Sequence, residues 1–194
     1  MKKWWIFLVI LFAAAILAFF LLIKFQILDI GNSSPGGQNN FVGETTTIMS
    51  DDFTAVRPLS WQNMDVAHSN YLYFPPDEDV NSTNAEYISV IVTPLGSINK
   101  SIDELIQAGI EQSGQIMPDF ELLEDEEINT GKMQARKLNF TGTQEGVKRS
   151  FIQVTGIEFS KLYAITYSCS ISPANNCNSY DVLDMIVNSM EIKE

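Results

Sequence analysis

Hydrophobic and polar residues alternate most clearly between Gly131 and Cys169, and the pattern predicts three successive antiparallel strands there. Two short turns divide the stretch, Thr143-Gln144-Glu145-Gly146 and Gly156-Ile157-Glu158, each with a glycine where a hairpin calls for positive φ. Between them stand β-branched and aromatic residues that suit a pleated surface: Phe151, Ile152, Val154, Tyr163, Ile165 and Tyr167. Apolar residues occupy both phases. Met133 and Ala135 alternate with Leu138 and Phe140 in opposite phase, and Leu162 and Ala164 oppose Tyr163, Ile165 and Tyr167. A bulge near Arg136-Lys137 is one cause of such a pattern; coverage of both faces by helices is the other. The second, favoured here, gives an α+β fold: an α/β/α sandwich around a mostly antiparallel sheet.

The flanking patterns supply the helices and outer strands. Tyr71-Leu72-Tyr73-Phe74, stopped by Pro75-Pro76, reads as a short strand, and Tyr87 to Val92 as a buried one. Ser101-Ile102-Asp103-Glu104 is a capping box. Ile102, Leu105, Ile106 and Ile110 follow at helical spacing, with Gly114 placed to end the helix. A strand is expected around Glu121-Leu122-Leu123. The chain closes on a second amphipathic helix carrying Tyr180, Leu183, Ile186, Val187 and Met190, capped by Ser179 or Asn178. In residues 41–65 the pattern is weaker. Phe53, Val56, Leu59 and Trp61 are expected to cover an edge or end of the core, with Asp51-Asp52 as a helix start.

Ahead of all this runs Trp4 to Ile23, with no charged or strongly polar side chain. As a helix it would be about 30 Å long, the thickness of a bilayer core. Lys2 and Lys3 precede it, whereas Lys24 and Asp29 nearly cancel after it. The positive-inside bias therefore predicts a single-pass signal anchor with a cytoplasmic N-terminus and an extracytoplasmic C-terminal part. A cleaved signal peptide is the alternative. The expected organisation is a stub at 1–3, a membrane helix at 4–24, a flexible stalk at 25–44 and one domain at 45–194. The stalk holds the breaker-rich GNSSPGGQNN.

Charge narrows the partners. The 194-residue chain has 12 basic and 24 acidic residues, a net −12. Lys2, Lys3 and Lys24 are the only charges in residues 1–24, leaving nine basic against 24 acidic residues beyond, a net −15. Such a surface repels phosphate backbones, so nucleic acid is not an expected partner. The expected partners are membrane lipid, through residues 4–23, and another membrane or envelope protein. Two cysteines, Cys169 and Cys177, are separated by a turn-rich loop; outside the cytosol a disulfide is their expected state.

The order of these parts resembles the PsbP-like family, whose fold is shared with a Ran-binding nuclear transport factor and DcrB-type envelope lipoproteins. The residues that carry the resemblance are Tyr73-Phe74-Pro75, Ile88 to Val92, the capped helix from Ser101, and Pro118-Asp119-Phe120 leading into Glu121 to Glu124. Further along they are Gly131, Ala135, Leu138 and Phe140, then Leu162 to Tyr167 and Ile186 to Met190. The resemblance spans about Asn70 to Ile192. It implies an α/β/α sandwich used as a non-catalytic binding or assembly module, and calcium is the one cofactor it suggests.

Candidate chemistry is sparse. Asp77-Glu78-Asp79-Val80-Asn81 begins like a calcium loop, but Ser82 stands where an EF-hand needs glycine and Ile88 where it needs glutamate. Asp77 and Asp79 remain candidates for a looser calcium site, against a solvated loop. Glu124-Asp125-Glu126-Glu127 reads as a charged hairpin edge that discourages strand addition; the alternatives are a site for a divalent cation or a surface for a basic partner. His68 is the sole histidine, so any Ser–His–Asp or Cys–His mechanism must pass through it, and no G-x-S-x-G elbow exists. No catalytic residue or nucleotide motif is assigned. Sequons occur at Asn32, Asn81, Asn99 and Asn139, of which Asn32 and Asn81 are the accessible glycosylation candidates. The expected function is docking or assembly at a membrane complex, without catalysis. The alternatives are a carrier holding a small apolar ligand between helix and sheet, lined by Tyr71, Tyr73, Tyr163 and Tyr167, and an extracytoplasmic hydrolase.

Overall fold

A computed structural model describes residues 44–65, 70–98, 100–130, 133–172, 177 and 179–193. The expected anchor (4–24) and the stalk up to residue 43 lie outside the described residues, as do His68, Asn32 and Asn99. Among the described residues ten strands and two helices follow in the order β1 (Thr45–Met49), β2 (Phe53–Pro58), β3 (Gln62–Asp65), β4 (Asn70–Phe74), β5 (Tyr87–Pro94), α1 (Ile102–Ile116) and β6 (Glu121–Asn129). Then come β7 (Gln134–Gln144), β8 (Val147–Glu158), β9 (Lys161–Ser170), α2 (Tyr180–Ser189) and β10 (Glu191–Ile192). Seven strands form one antiparallel sheet in the order β3-β4-β5-β9-β8-β7-β6, and β1-β2-β10 form a second, small one.

Both faces of the large sheet are covered, as the doubled apolar phases predicted. On one face Ile88, Val90, Tyr163, Ile165, Tyr167 and Val154 meet Val182, Leu183, Ile186 and Val187 of α2, with Phe53, Ala55 and Trp61 from the N-terminal segment. On the other face Leu138, Phe140 and Phe151 pack under Ile106, Ile102 and Ile110 of α1. A third cluster of Leu72, Phe74 and Ala85 lies on that same face beneath the loop that follows β4. The register of β7 is continuous against β8, so no bulge arises at Arg136-Lys137. The bulge lies instead in β6, between Leu122 and Glu124.

Local chemistry explains where the elements start and stop. In α1 the Ser101 hydroxyl accepts from the Glu104 amide at 3.2 Å, and the Glu104 carboxylate accepts from the Ser101 amide at 2.9 Å, closing the capping box. The helix does not stop at Gly114 but runs to Ile116, because Pro118 is what ends it. A residue before proline is driven from helical φ and ψ, and Met117 is extended (φ −105°, ψ 112°). Ser179 occupies the N-cap of α2 without a side-chain bond to the helix.

Three sequence expectations need correction. Residues 45–58 are a hairpin, and Asp51-Asp52 is its turn, not a helix start. The Ser50 hydroxyl accepts from the amides of Asp52 and Phe53 and holds the turn closed. Gly156 lies inside β8, paired with Ala135 and Tyr163, and the hairpin turns at Phe159 and Ser160, both at positive φ (47° and 56°). Gly156 serves space: a Cβ there would overlap the Met133 side chain at Sδ, Cγ and Cε. The strand expected around Glu121-Leu122-Leu123 is present and extends to Asn129, so the meander has four strands where three were expected.

Candidate docking surface

Strand β6 is the last in the large sheet, and residues 121 to 127 are all exposed. It carries Glu121, Glu124, Asp125, Glu126 and Glu127 and no basic residue. Acidic residues are poor strand formers alone; here β7 supplies the counter-charges. Arg136 reaches Asp125 at 2.6 Å and Asp103 of α1 at 2.9 Å, and Lys137 lies 3.9 Å from Glu126. The hydrogen bond to Asp125, aided by both carboxylates, raises the affinity of the guanidinium for its proton. Glu121, Glu124 and Glu127 have no ion pair among the described residues.

The bulge throws Leu123 outward to 53 % exposure, with Leu122 at 37 % beside it. Ile116, at the end of α1, is 47 % exposed, and half-buried Met117 and Phe120 link the helix to the strand. Phe120 in turn packs on Phe140, with ring centroids 5.6 Å apart. Exposed apolar side chains therefore stand at the end of α1 and at the start of an acidic sheet edge, and the segment between them is anchored by the tilted Phe120–Phe140 pair. Clustered exposed apolar side chains on a soluble face mark interaction sites more often than scattered ones do.

Between α1 and the sheet lies a hollow of about 70 Å³, lined by Ile106, Gly109, Ile110, Phe140, Gln153 and Thr155 among others. Pockets for drug-sized ligands hold roughly 300–1,000 Å³. Tyr71, Tyr73, Tyr163 and Tyr167, expected to line a carrier pocket, are on the opposite face, in or against the core under α2. None of them borders the hollow. The Tyr163 hydroxyl is buried with no hydrogen-bond partner among the described residues.

A buried polar cluster escaped the sequence reading. Arg149 is 3 % exposed; it donates to Ser168 Oγ at 2.8 Å, to the Thr83 carbonyl at 2.8 Å and to the Ala85 carbonyl, and lies over the Tyr87 ring. Next to it the buried Glu86 carboxylate accepts from the Tyr167 hydroxyl at 2.7 Å. Burial, and donation to that carboxylate, hold the Tyr167 phenol protonated far above its ordinary range. Burial also raises the Glu78 carboxyl, against the lowering effect of the Glu86 amide. These groups pin the loop after β4 to the sheet. The signal was available: Arg149 shares a phase with Phe151, which faces α1.

Asp77 and Asp79 are exposed, and the Asp79 carboxylate accepts from the Asn81 amide. Among the described residues, no three His, Cys, Asp or Glu side chains are grouped to hold a metal ion. Asn81 is exposed, whereas the Asn139 side-chain oxygen is buried in β7. Cys169 and Cys177 form a disulfide, with Cα atoms 5.6 Å apart, which ties β9 to the segment entering α2. Among the described residues no helix is long and apolar enough to cross a membrane.

No family model matches the sequence, and no curated protein matches it. Solved structures do. The Ran-binding protein Mog1p of Saccharomyces cerevisiae is 14% identical with a TM-score of 0.57, over 77% of this chain and 95% of that one. The cyanobacterial PsbP of Synechocystis is 17% identical with a TM-score of 0.51, over 82% of this chain and 100% of that one. LpqN of Mycobacterium tuberculosis, involved in cell envelope biogenesis, is 14% identical with a TM-score of 0.52, over 78% and 91%. The chain has the fold these proteins share, the one that the sequence pattern resembled.

Proposed function

We propose that this chain is a non-catalytic binding module, held by one membrane helix at residues 4–24 with residues 45–194 on the outer side, that docks to another membrane or envelope protein. The observation that carries the reading is the pairing of exposed apolar side chains, at Ile116, Leu122 and Leu123, with a hollow of about 70 Å³ between α1 and the sheet, too small for a drug-sized cargo. A carrier needs an enclosed space for its cargo, and a docking module needs an accessible surface on a stiff support. The second requirement is the one these residues meet. The disulfide supports an outer location, because cytosolic thiols are kept reduced. Structural neighbours described as Ran-binding and as involved in cell envelope biogenesis support protein binding as the use of this fold.

The test is crosslinking in the native membrane followed by mass spectrometry. A crosslinked neighbour attached through residues 116–128 is the expected result; a chain that crosslinks to nothing but lipid would overturn the reading. Protease added from each side of the membrane tests the topology. Digestion of residues 45–194 only from the cytoplasmic face would reverse it.

A further inference from the structure

Strand β6 offers more than a patch: it is a nine-residue sheet edge, about 30 Å long at roughly 3.3 Å per residue. Among the described residues β7 is its only strand partner, so the outward-facing amides and carbonyls of residues 121–128 are open to another strand. Open edges are where extended peptides add to sheets, main-chain bonds giving affinity and side chains choosing the peptide. Here the side chains choose strongly. Five carboxylates and no cation stand on β6, and the last turn of the adjoining α1 contains no basic residue to offset the negative end of its dipole. Only Asp125 and Glu126 are answered from within the sheet.

Two consequences follow for the occupant. A second copy of this chain would set five carboxylates against five, and like charges directly opposite each other destabilise strand pairs. An extended segment rich in lysine or arginine would instead meet Glu121, Glu124 and Glu127, the three that have no ion pair among the described residues. An apolar side chain on that segment would cover Leu122 and its neighbour Leu123, which the bulge turns outward. We propose that β6 is a strand-addition site for a basic, extended segment of a partner protein, with the acidic run acting as a filter that excludes self-pairing. This rests on the docking reading above and names its geometry.

The test uses the full chain and a nine-residue extended peptide with lysines in both phases and a valine at its centre, because Glu121 and Glu124 stand on the α2 face of the sheet and Glu127 on the α1 face; the same peptide with glutamate for lysine is the control. Hydrogen exchange followed by mass spectrometry reads the amides of residues 121–128. The lysine peptide is expected to protect β6 at low salt and less at high salt, and the glutamate peptide to leave it unprotected. Replacing the three unpaired acids (Glu121→Lys, Glu124→Lys and Glu127→Lys) should weaken the lysine peptide roughly tenfold or more and admit the glutamate peptide. These side chains are exposed, so the fold is retained, which circular dichroism checks. Lysine-peptide protection that falls elsewhere, is absent from β6, or survives the triple replacement overturns the proposal. So does β6 protection that grows with protein concentration without peptide, which would make the occupant a second copy. A partner crosslinked in the membrane through another surface would leave the docking reading standing and remove this one.

Discussion

Replacing Arg149 by methionine removes one guanidinium and keeps most of its aliphatic stem. Two acceptors lose their donor in the interior, Ser168 Oγ and the Ala85 carbonyl, and the Thr83 carbonyl loses its donor at the edge of the interior. Hydrogen bonds to a charged group contribute about 1.5–3 kcal/mol each, and each orphaned buried acceptor costs about 1–3 kcal/mol. Against this, a buried guanidinium suffers a desolvation penalty of several kcal/mol, which the substitution relieves. The difference is a net loss of about 3–5 kcal/mol, in line with breaking other buried charge networks. For a domain whose total stability is of order 5–15 kcal/mol, that is a large fraction. With a urea slope near 2 kcal/mol per molar, the midpoint should fall by about 2 M. The assay is equilibrium urea unfolding of the full chain, followed by the change in tryptophan fluorescence as Trp61, buried in the core, is exposed over the background of Trp4 and Trp5. Exchange at Ala85 and Glu86 should rise at the same time. A loss under about 1 kcal/mol would refute the reasoning, because it would mean that the loop after β4 is held by its apolar contacts alone.

Other substitutions probe separate parts of the structure. Gly156→Ala should destabilise by about 1–3 kcal/mol through overlap with Met133, and adding Met133→Ala should recover part of that in thermal unfolding. Replacing Cys169 and Cys177 by alanine opens a loop of sequence separation 8 and should cost about 2.5 kcal/mol on the chain-entropy scale, measured in urea. Tyr163→Phe removes a buried hydroxyl that lacks a partner among the described residues, so unfolding should show no loss and a gain of up to about 1 kcal/mol. Glu78 binds its proton more tightly folded than unfolded, because burial disfavours its charge. Its contribution to stability therefore declines as pH rises from the ordinary glutamate range toward the raised folded value. Glu78→Gln should flatten that decline in a pH series of unfolding midpoints.

The central strands were legible because burial on both sides leaves a trace in both phases: Met133 and Ala135 on the α2 face, Leu138 and Phe140 on the α1 face. Helix starts were legible where capping chemistry is local, as at Ser101 and Glu104. Gly156 misled because a glycine that yields room to Met133 looks, in sequence, like one that turns the chain. The turn fell instead on Phe159 and Ser160, which adopt positive φ without glycine. The hairpin at 45–58 was missed because its turn depends on the single hydroxyl of Ser50. The length of β6 was hidden because its acids join the sheet through Arg136 and Lys137, more than ten positions downstream. The exposure of Leu123 depends on a bulge there, and no residue type announces one.

The small sheet closes the domain on itself. β2 pairs with β1 on one side and with β10, the last strand of the chain, on the other, and the Lys193 ammonium donates to the Ser50 carbonyl at 2.6 Å. Tension applied through residue 44 would therefore fall first on β1, at the Thr45–Pro58 pair, and peel it rung by rung in an unzipping geometry. The seven-stranded sheet would bear no load until that hairpin had yielded. β1 is thus a mechanical fuse: a pull on residue 44 would free a few residues of chain before it strained the surface at the far edge.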